Sequence, residues 1–358
     1  MNVNDLLQVM IKKGISDIHF KSGAAPLLRV HGKLIPAGME AFSAQNVEDI
    51  AEALMSPEQK RAFDAEHELD FAHSIDDVSR FRINIYRQRG TTALTLRVVP
   101  LKVNTFEDLH LPAEALKKLA SESRGLILIT GVTGAGKTTT MNSMLDYINE
   151  NFCYNIVTVE DPIEYYHKDK KSSISQREVG LDTKSYAKAL KYALRQDPDV
   201  VVIGEMRDFE AISAAITAAE TGHLVLSTIH TMDASQTIDR IVDAYPPHQQ
   251  SSVRSQFANV IKGIVAQRLV TKKDGLERLP ATEILLGTSL VKKLISDGKL
   301  SDLNKTIDQG AYYGMHTFDS DLLALFKKGL ITSDEALDKA TNPDDMTLNL
   351  KGIENELA

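Results

Sequence analysis

The sequence predicts an α/β protein in two parts: an α+β module with an antiparallel sheet, then a parallel sheet wound around a phosphate loop. Three observations carry this. Gly131-Val132-Thr133-Gly134-Ala135-Gly136-Lys137-Thr138 fits the pattern G-x-x-x-x-G-K-[ST]. Short apolar runs alternate with helical spacing from about residue 112 onward. Before residue 100, strand-like runs follow one another around turn residues.

Taken in order, Asp5–Lys13 reads as a short amphipathic helix ending at Gly14. Asp17–Phe20, Leu27–Val30 and Lys33–Ile35 read as short strands, the last two around His31-Gly32. Ser56-Pro57-Glu58 supplies an N-cap with proline at the first helical position. Glu68–Ile75, Ser79–Arg87 and Thr92–Val99 are the next strands, with Arg89-Gly90 turning between the last two. The expected boundaries are a first domain over 1–99, a linker over 100–111, a nucleotide domain over 112–288 and a helical region over 289–358.

In the second part, Gly125–Thr130, Asn155–Val159, Val200–Ile203 and Leu224–Ile229 are apolar without polar alternation. Strands covered on both faces read this way. Helices are expected at Lys184–Arg195, capped by Asp182 or Thr183, and at Phe209–Glu220, with Gly222 just beyond. After about residue 235 the expectation is mostly helical. Ser251–Leu269 reads as one long amphipathic stretch and Glu283–Leu286 as a last strand. Leu290–Ile295, Leu303–Gln309, Thr317–Lys328 and Ser333–Ala340 read as helices, and Asn342-Pro343-Asp344-Asp345 opens a polar tail.

The chemistry gathers where strands end. Glycines let a backbone approach phosphate, and N–H groups at a helix start point at it. Thr133, Gly134, Ala135, Gly136, Lys137, Thr138 and Thr139 are therefore the expected phosphate cradle. Lys137 supplies a cation for the β/γ-phosphates, and the Thr138 hydroxyl a ligand for Mg2+. The bound molecule is ATP or GTP. In open α/β sheets the ligand lies outside the carboxyl ends of the strands. Glu160 to Glu164, Glu205 to Asp208 and Ser227 to Thr231 follow three of them. Val200–Glu205 resembles a Walker B strand, except that Gly204 stands where aspartate is common. Glu205 then holds the metal, directly or through water, and Glu160 and Glu164 are both candidates for activating water. His230 is placed to sense the γ-phosphate, although a lone histidine also reads as a satisfied structural residue. His223 after Gly222 fits a helix-dipole partner.

Composition narrows the class. The chain has 358 residues, 43% hydrophobic and 25% charged, with a net charge of -8. That acidity argues against nucleic acid as the main partner, since phosphate binding leaves a basic face. Lys168–Lys171 is the strongest basic cluster and fits a solvated loop. The single cysteine, Cys153, permits neither a disulfide within the chain nor a C-x-x-C zinc site, and suits a reducing cytoplasm. No signal peptide is read at Met1–Asp5, and no apolar run approaches a membrane span, so direct membrane insertion is not expected.

The motifs also carry a family resemblance. The loop at Gly131–Thr138, the acidic box Val159–Tyr165, the Walker-B-like Gly204–Asp208, and the histidine box from Thr221-Gly222-His223 to His230-Thr231 occur in series. Together they resemble the secretion ATPases of type II and type IV pilus systems, and within these the twitching-motility retraction ATPases. Ser16–His19, Arg80–Asn84 and Gly314–Asp319 extend the likeness over almost the whole chain. The resemblance implies a PAS-like N-terminal domain, a RecA-like ATPase domain and a helical C-terminal region. It implies a homo-hexamer, hydrolysing ATP with Mg2+ in the cytoplasm at the inner face of the inner membrane. The implied partners are a membrane-embedded pilus platform protein and a paralogous retraction ATPase. Glu164 becomes the water-activating base and Glu205 the Walker B acid. Arginines complete the site, and Arg82, Arg97, Arg195 and Arg207 are the candidates.

Pilus extension and type II secretion ATPases usually carry a tetracysteine zinc module and a longer N-terminal region; this chain is read as having neither, which favours retraction. Retraction ATPases often carry A-I-R-N-L-I; Ser289–Ile295 keeps its apolar spacing but not its Arg-Asn pair. Two other readings stand beside this one: a nucleic-acid motor of the RecA or helicase type, and a non-catalytic ATP-binding subunit of a pilus motor.

Overall fold

The structure is a computed structural model, and it describes residues 7, 8, 13, 15–30, 33–75, 79–99 and 103–357. The chain divides into two compact units. The first spans Met1–Lys102 with Glu164–Tyr166, and the second Val103–Ile163 with His167–Ala358.

The first unit is a six-stranded sheet in the order β3-β2-β1-β6-β5-β4. Its strands are β1 (Ile15–Lys21), β2 (Leu27–Val30), β3 (Lys33–Pro36), β4 (Glu68–Ile75), β5 (Ser79–Gln88) and β6 (Thr91–Val99). Every pairing is antiparallel. Alternation along the strands puts Ile18, Phe20, Phe81, Ile83, Ile85, Leu94 and Leu96 into one core. Helices α1 (Ala44–Leu54) and α2 (Pro57–Glu66) contribute Val47, Ile50, Leu54 and Phe63 to it. Ser43 and Ser56 each close a capping box, and proline follows Ser56 as expected. The helix expected over Asp5–Lys13 and the turn at His31-Gly32 lie outside the described residues, apart from Leu7, Gln8 and Lys13.

The second unit holds a seven-stranded sheet in the order β13-β12-β7-β11-β10-β8-β9. The strands are β7 (Gly125–Thr130), β8 (Asn155–Glu160), β9 (Ser173–Glu178), β10 (Val200–Ile203), β11 (Leu224–Ile229), β12 (Ile261–Thr271) and β13 (Arg278–Leu286). All neighbours run parallel except β13, which is antiparallel to β12 at one edge. The four expected strands are its centre, and β7, β10 and β11 are buried along their whole length. Helices α3 (Ala113–Ala120), α4 (Lys137–Asn151), α5 (Tyr186–Ala193), α6 (Phe209–Glu220), α7 (Ala234–Asp243) and α8 (Pro247–Val260) cover it. Phe106 and Leu111, in the stretch expected as a linker, are buried in this core. The described part of that stretch therefore packs into the second unit, while 100–102 lie outside the described residues.

Three elements differ from the sequence reading or are missing from it. Ser251–Leu269 is not one helix: α8 stops at Val260 and β12 begins at once. Ile264, Val265 and Ala266 are all fully buried, a continuous run that suits a strand covered on both faces. A Cβ at Gly263 would stand 2.6 Å from a Leu119 side-chain carbon, so the backbone lies close under α3 there. Secondly, β9 reads Ser-Ile-Ser-Gln-Arg-Glu, an edge strand too polar to be seen. Thirdly, the supposed polar tail is helix α13 (Pro343–Leu357), which buries Met346 and Leu350. With α9 (Ser289–Ser296), α10 (Leu303–Asp308), α11 (Phe318–Lys327) and α12 (Ser333–Lys339) it forms the helical C-terminal region.

Candidate active site

Parallel strands bring their carboxyl ends to one edge, and the polar residues after β7, β8, β10 and β11 meet there. The phosphate loop leaves β7 at Gly131 and enters α4 at Lys137, with Gly136 as the N-cap. Gly134 and Gly136 have φ of 79° and 89°, which favours glycine. Gly131 allows a close approach: a Cβ there would stand 2.5 Å from the Gln267 carbonyl oxygen. Gln267 on β12 also accepts a hydrogen bond from the Thr140 hydroxyl through Oε1 at 2.9 Å. This buried glutamine braces the loop, yet the sequence hid it inside the supposed long helix.

Lys137 is 7% exposed. Its Nζ donates to the carbonyls of Gly131 at 2.9 Å and Val132 at 3.1 Å. The same Nζ lies 3.4 Å from His230 Nδ1. His230 Nε2 lies 3.0 Å from Glu205 Oε1, and Arg207 Nε lies 3.0 Å from Glu205 Oε2. The loop lysine, the histidine after β11 and the acid and arginine after β10 therefore form one connected set. His230 stands apart from His223, whose Nδ1 donates to the Ala218 carbonyl at 2.9 Å near the end of α6. That contact is at the amino end of β11, so His223 serves the helix terminus.

Two more threonines fix the loop that carries His230. The Thr130 hydroxyl donates to the Thr231 carbonyl at 2.6 Å and accepts from the Thr231 N–H at 3.2 Å. Next door, the Thr138 hydroxyl has no protein partner among the described residues, which leaves it available as a metal ligand. Both Glu205 oxygens already have a partner, Arg207 on one and His230 on the other, so Glu205 suits a metal held through water better than direct ligation.

Glu160 is buried at the end of β8. Its Oε1 accepts from the Thr158 hydroxyl at 2.7 Å and from Gln176 Nε2 at 3.1 Å. Two donors on one oxygen fix this carboxylate in place. Glu164 is exposed and carries no hydrogen bond or ion pair among the described residues. Between them the Asp161-Pro162 bond is cis, and the Ile163 N–H donates to Glu178 Oε2 at 3.2 Å.

The departure at Gly204 has a steric reason. A Cβ there would lie 3.2 Å from the Tyr186 Oη, 3.3 Å from the Glu160 Cα and 3.4 Å from the Val159 carbonyl oxygen. An aspartate would crowd the end of β8, including the residue that carries the Glu160 carboxylate. Gly204→Ala is expected to cost about 1 kcal/mol by forcing these neighbours apart. A melting temperature within experimental error of the wild type would show the crowding to be absent.

The remaining arginines are not drawn into this set. Arg195 is exposed just after α5, beside Gln196 and Asp197, whose carbonyls accept from Asn155 Nδ2 at 2.7 and 3.0 Å. Asn155 opens β8, so Arg195 sits at the amino edge of the sheet, opposite the phosphate loop. Chain order alone does not tell which edge a residue reaches. Arg82 and Arg97 pair across β5 and β6 in the first unit. Arg97 Nε lies 2.7 Å from Asp17 Oδ1, and Arg82 Nε lies 3.9 Å from Asp70 Oδ1. Burial works to raise the Asp17 carboxyl, but the bonds from Arg97 and Ser16 outweigh it and hold it below the usual range.

A cleft of about 450 Å³ opens beside Gly136, lined by Asp108, Leu111, Thr139, Leu269, Arg278 and Pro280. Apolar walls with a few polar groups suit a base and ribose. The fold and this site define a P-loop ATPase. The profile of the type II/IV secretion system protein family matches residues 2–283, and the chain belongs to that family. It is 40% identical to the type IV pilus retraction ATPase PilT of Pseudomonas aeruginosa over 96% of this chain and 99% of that protein. It is 39% identical to the type IV pilus ATPase PilU of the same organism over 98% of this chain and 92% of that protein. A crystal structure of the pilus retraction motor PilT with bound ADP superposes with a TM-score of 0.89 at 40% identity. That match covers 96% of this chain and 98% of that one. Among the described residues no helix is long and apolar enough to cross a membrane.

Proposed function

We propose that the chain is the ATPase motor of type IV pilus retraction, and that it works as a homo-hexamer. The observation that carries the reading is the linked set Lys137, His230, Glu205 and Arg207, at the strand ends of a chain that matches PilT along its length.

The loop N–H groups and Lys137 bind the phosphates of ATP, and the cleft beside Gly136 takes the base. Thr138, and Glu205 through water, would hold Mg2+, which would supply positive charge against the phosphates. Glu164 accepts a proton from the attacking water, while Glu160 keeps the end of β8 in position. His230 stands beside Lys137 and meets the γ-phosphate. Arg207, held by Glu205, or Arg82 and Arg97 from a first unit complete the site. Arg195 reaches phosphate only from a neighbouring subunit.

Mechanical work needs a second body that moves against the ATPase unit. The antiparallel unit is that body, and the chain leaves it at Lys102 and enters the ATPase unit at Val103. If its arginines meet phosphate only in a closed arrangement, ATP favours closure through differential affinity. Sequential closure around the ring turns a platform protein at the inner face of the inner membrane, with a paralogous ATPase as a further partner. The single cysteine rules out a tetracysteine zinc module of the extension type within this sequence. Deletion of the gene is expected to leave cells piliated but unable to twitch. Loss of surface pili with normal pilin levels would identify an extension motor instead.

A further inference from the structure

Glu283 lies on β13 and is 8% exposed. Its Oε1 accepts the N–H of Ala234 at 3.0 Å. Ala234 is the first residue of α7, three residues after Thr231 and four after His230. The His230 loop is thus tied at two points: at Thr231 by Thr130, and at Ala234 by Glu283. A carboxylate at a helix start is held by the backbone donor and by the helix dipole.

We propose that Glu283 is a positioning residue of the ATPase site, which in its ionised form holds the start of α7 and so keeps His230 against Lys137 and Glu205. This rests on the reading of His230 as a phosphate-facing residue.

The surroundings make the hold dependent on pH. Burial pushes the Glu283 carboxyl up to about 7, and only the Ala234 N–H and Arg268 on β12 act against it. Asp233 before α7 and Asp319 on α11 raise it further. Lys305 and Asp308 of α10 and Asp345 of α13 line the same cavity of about 590 Å³, which gives water and protons access. His316 and Asp321 face the adjoining Thr282, and burial pushes the His316 imidazole below its usual range against the opposing charge of Asp321. Near pH 7 the carboxylate therefore changes charge. Protonation weakens its bond to α7 and loosens the loop.

Stability runs the other way. A raised folded value means that the neutral acid favours folding below about 4.5, and that this contribution is lost as pH rises through about 7. Glu283→Gln stays neutral throughout, so it retains that contribution at pH 8 while losing the ionised hold. The test is ATP turnover by the purified full chain from pH 6 to 8.5, with melting temperatures at pH 6 and pH 8. In the wild type kcat is expected to rise through pH 7. In Glu283→Gln this rise is lost, and kcat at pH 8 falls on the order of fivefold with KM for ATP little changed. The variant is expected to melt at or above the wild-type temperature at pH 8. An unchanged pH profile and rate overturn the proposal, and so does a variant that melts below the wild type at pH 8, which marks a structural role only. Lys137→Ala assayed alongside separates the cases: if that variant hydrolyses ATP normally, the site itself is misread.

Discussion

Lys137→Ala is expected to lower kcat for ATP hydrolysis by roughly a thousandfold, about 4 kcal/mol in the barrier. The charge that Lys137 supplies grows in value as negative charge spreads over the transferred phosphate. Its removal also leaves the Gly131 and Val132 carbonyls without their Nζ donor, at a cost of about 1 kcal/mol each. A modest fall in melting temperature therefore accompanies the loss of turnover, and circular dichroism should still report a folded α/β chain. The same truncation removes the 3.4 Å contact with His230. His230→Ala is on that account expected to share part of the defect. A folded Lys137→Ala protein with near wild-type steady-state hydrolysis would sink the assignment of the loop.

Glu164→Gln is expected to slow hydrolysis about a hundredfold while leaving Mg·ATP binding intact. The exposed carboxylate has no hydrogen bond or ion pair among the described residues, so replacing it disturbs nothing that holds the fold. Glu160→Gln is expected to cost less than about tenfold, because an amide carbonyl still accepts from Thr158 and Gln176. Glu205→Ala differs from both. It frees Arg207 and His230 together and raises the magnesium requirement as well as lowering the rate. Single-turnover assays with titrated Mg2+ distinguish the three. Normal turnover by Glu164→Gln beside a dead Glu160→Gln would move the base to the buried carboxylate.

The sequence exposed the sheet centre because β7, β10 and β11 are fully buried and therefore uniformly apolar. It hid the sheet edges for the opposite reason. Edge strand β9 has one apolar residue, Ile174, among polar ones, and β12 follows α8 with no glycine or proline at Val260-Ile261 to mark the change. Helix α13 buries residues on one side and leaves Leu348 exposed, so its apolar face is thin. Lys137, Glu205 and His230 were legible as strand-end residues, since a parallel sheet puts all such ends on one edge. Their contacts were not, because the register that pairs Ile203 with Ser227 is set by the packed sheet. Gln267 and Glu283 carry no motif; each matters only through one bond made across the fold. Arg195 looked equivalent to the other arginines until the strand direction placed it at the far edge.

The most direct test follows fluorescently labelled pili in living cells whose only copy of the gene is wild type or Glu164→Gln. The account predicts that both strains extend pili, and that retraction events per pilus fall sharply in the variant. Unchanged retraction in the variant, or cells that never extend a pilus, would contradict it.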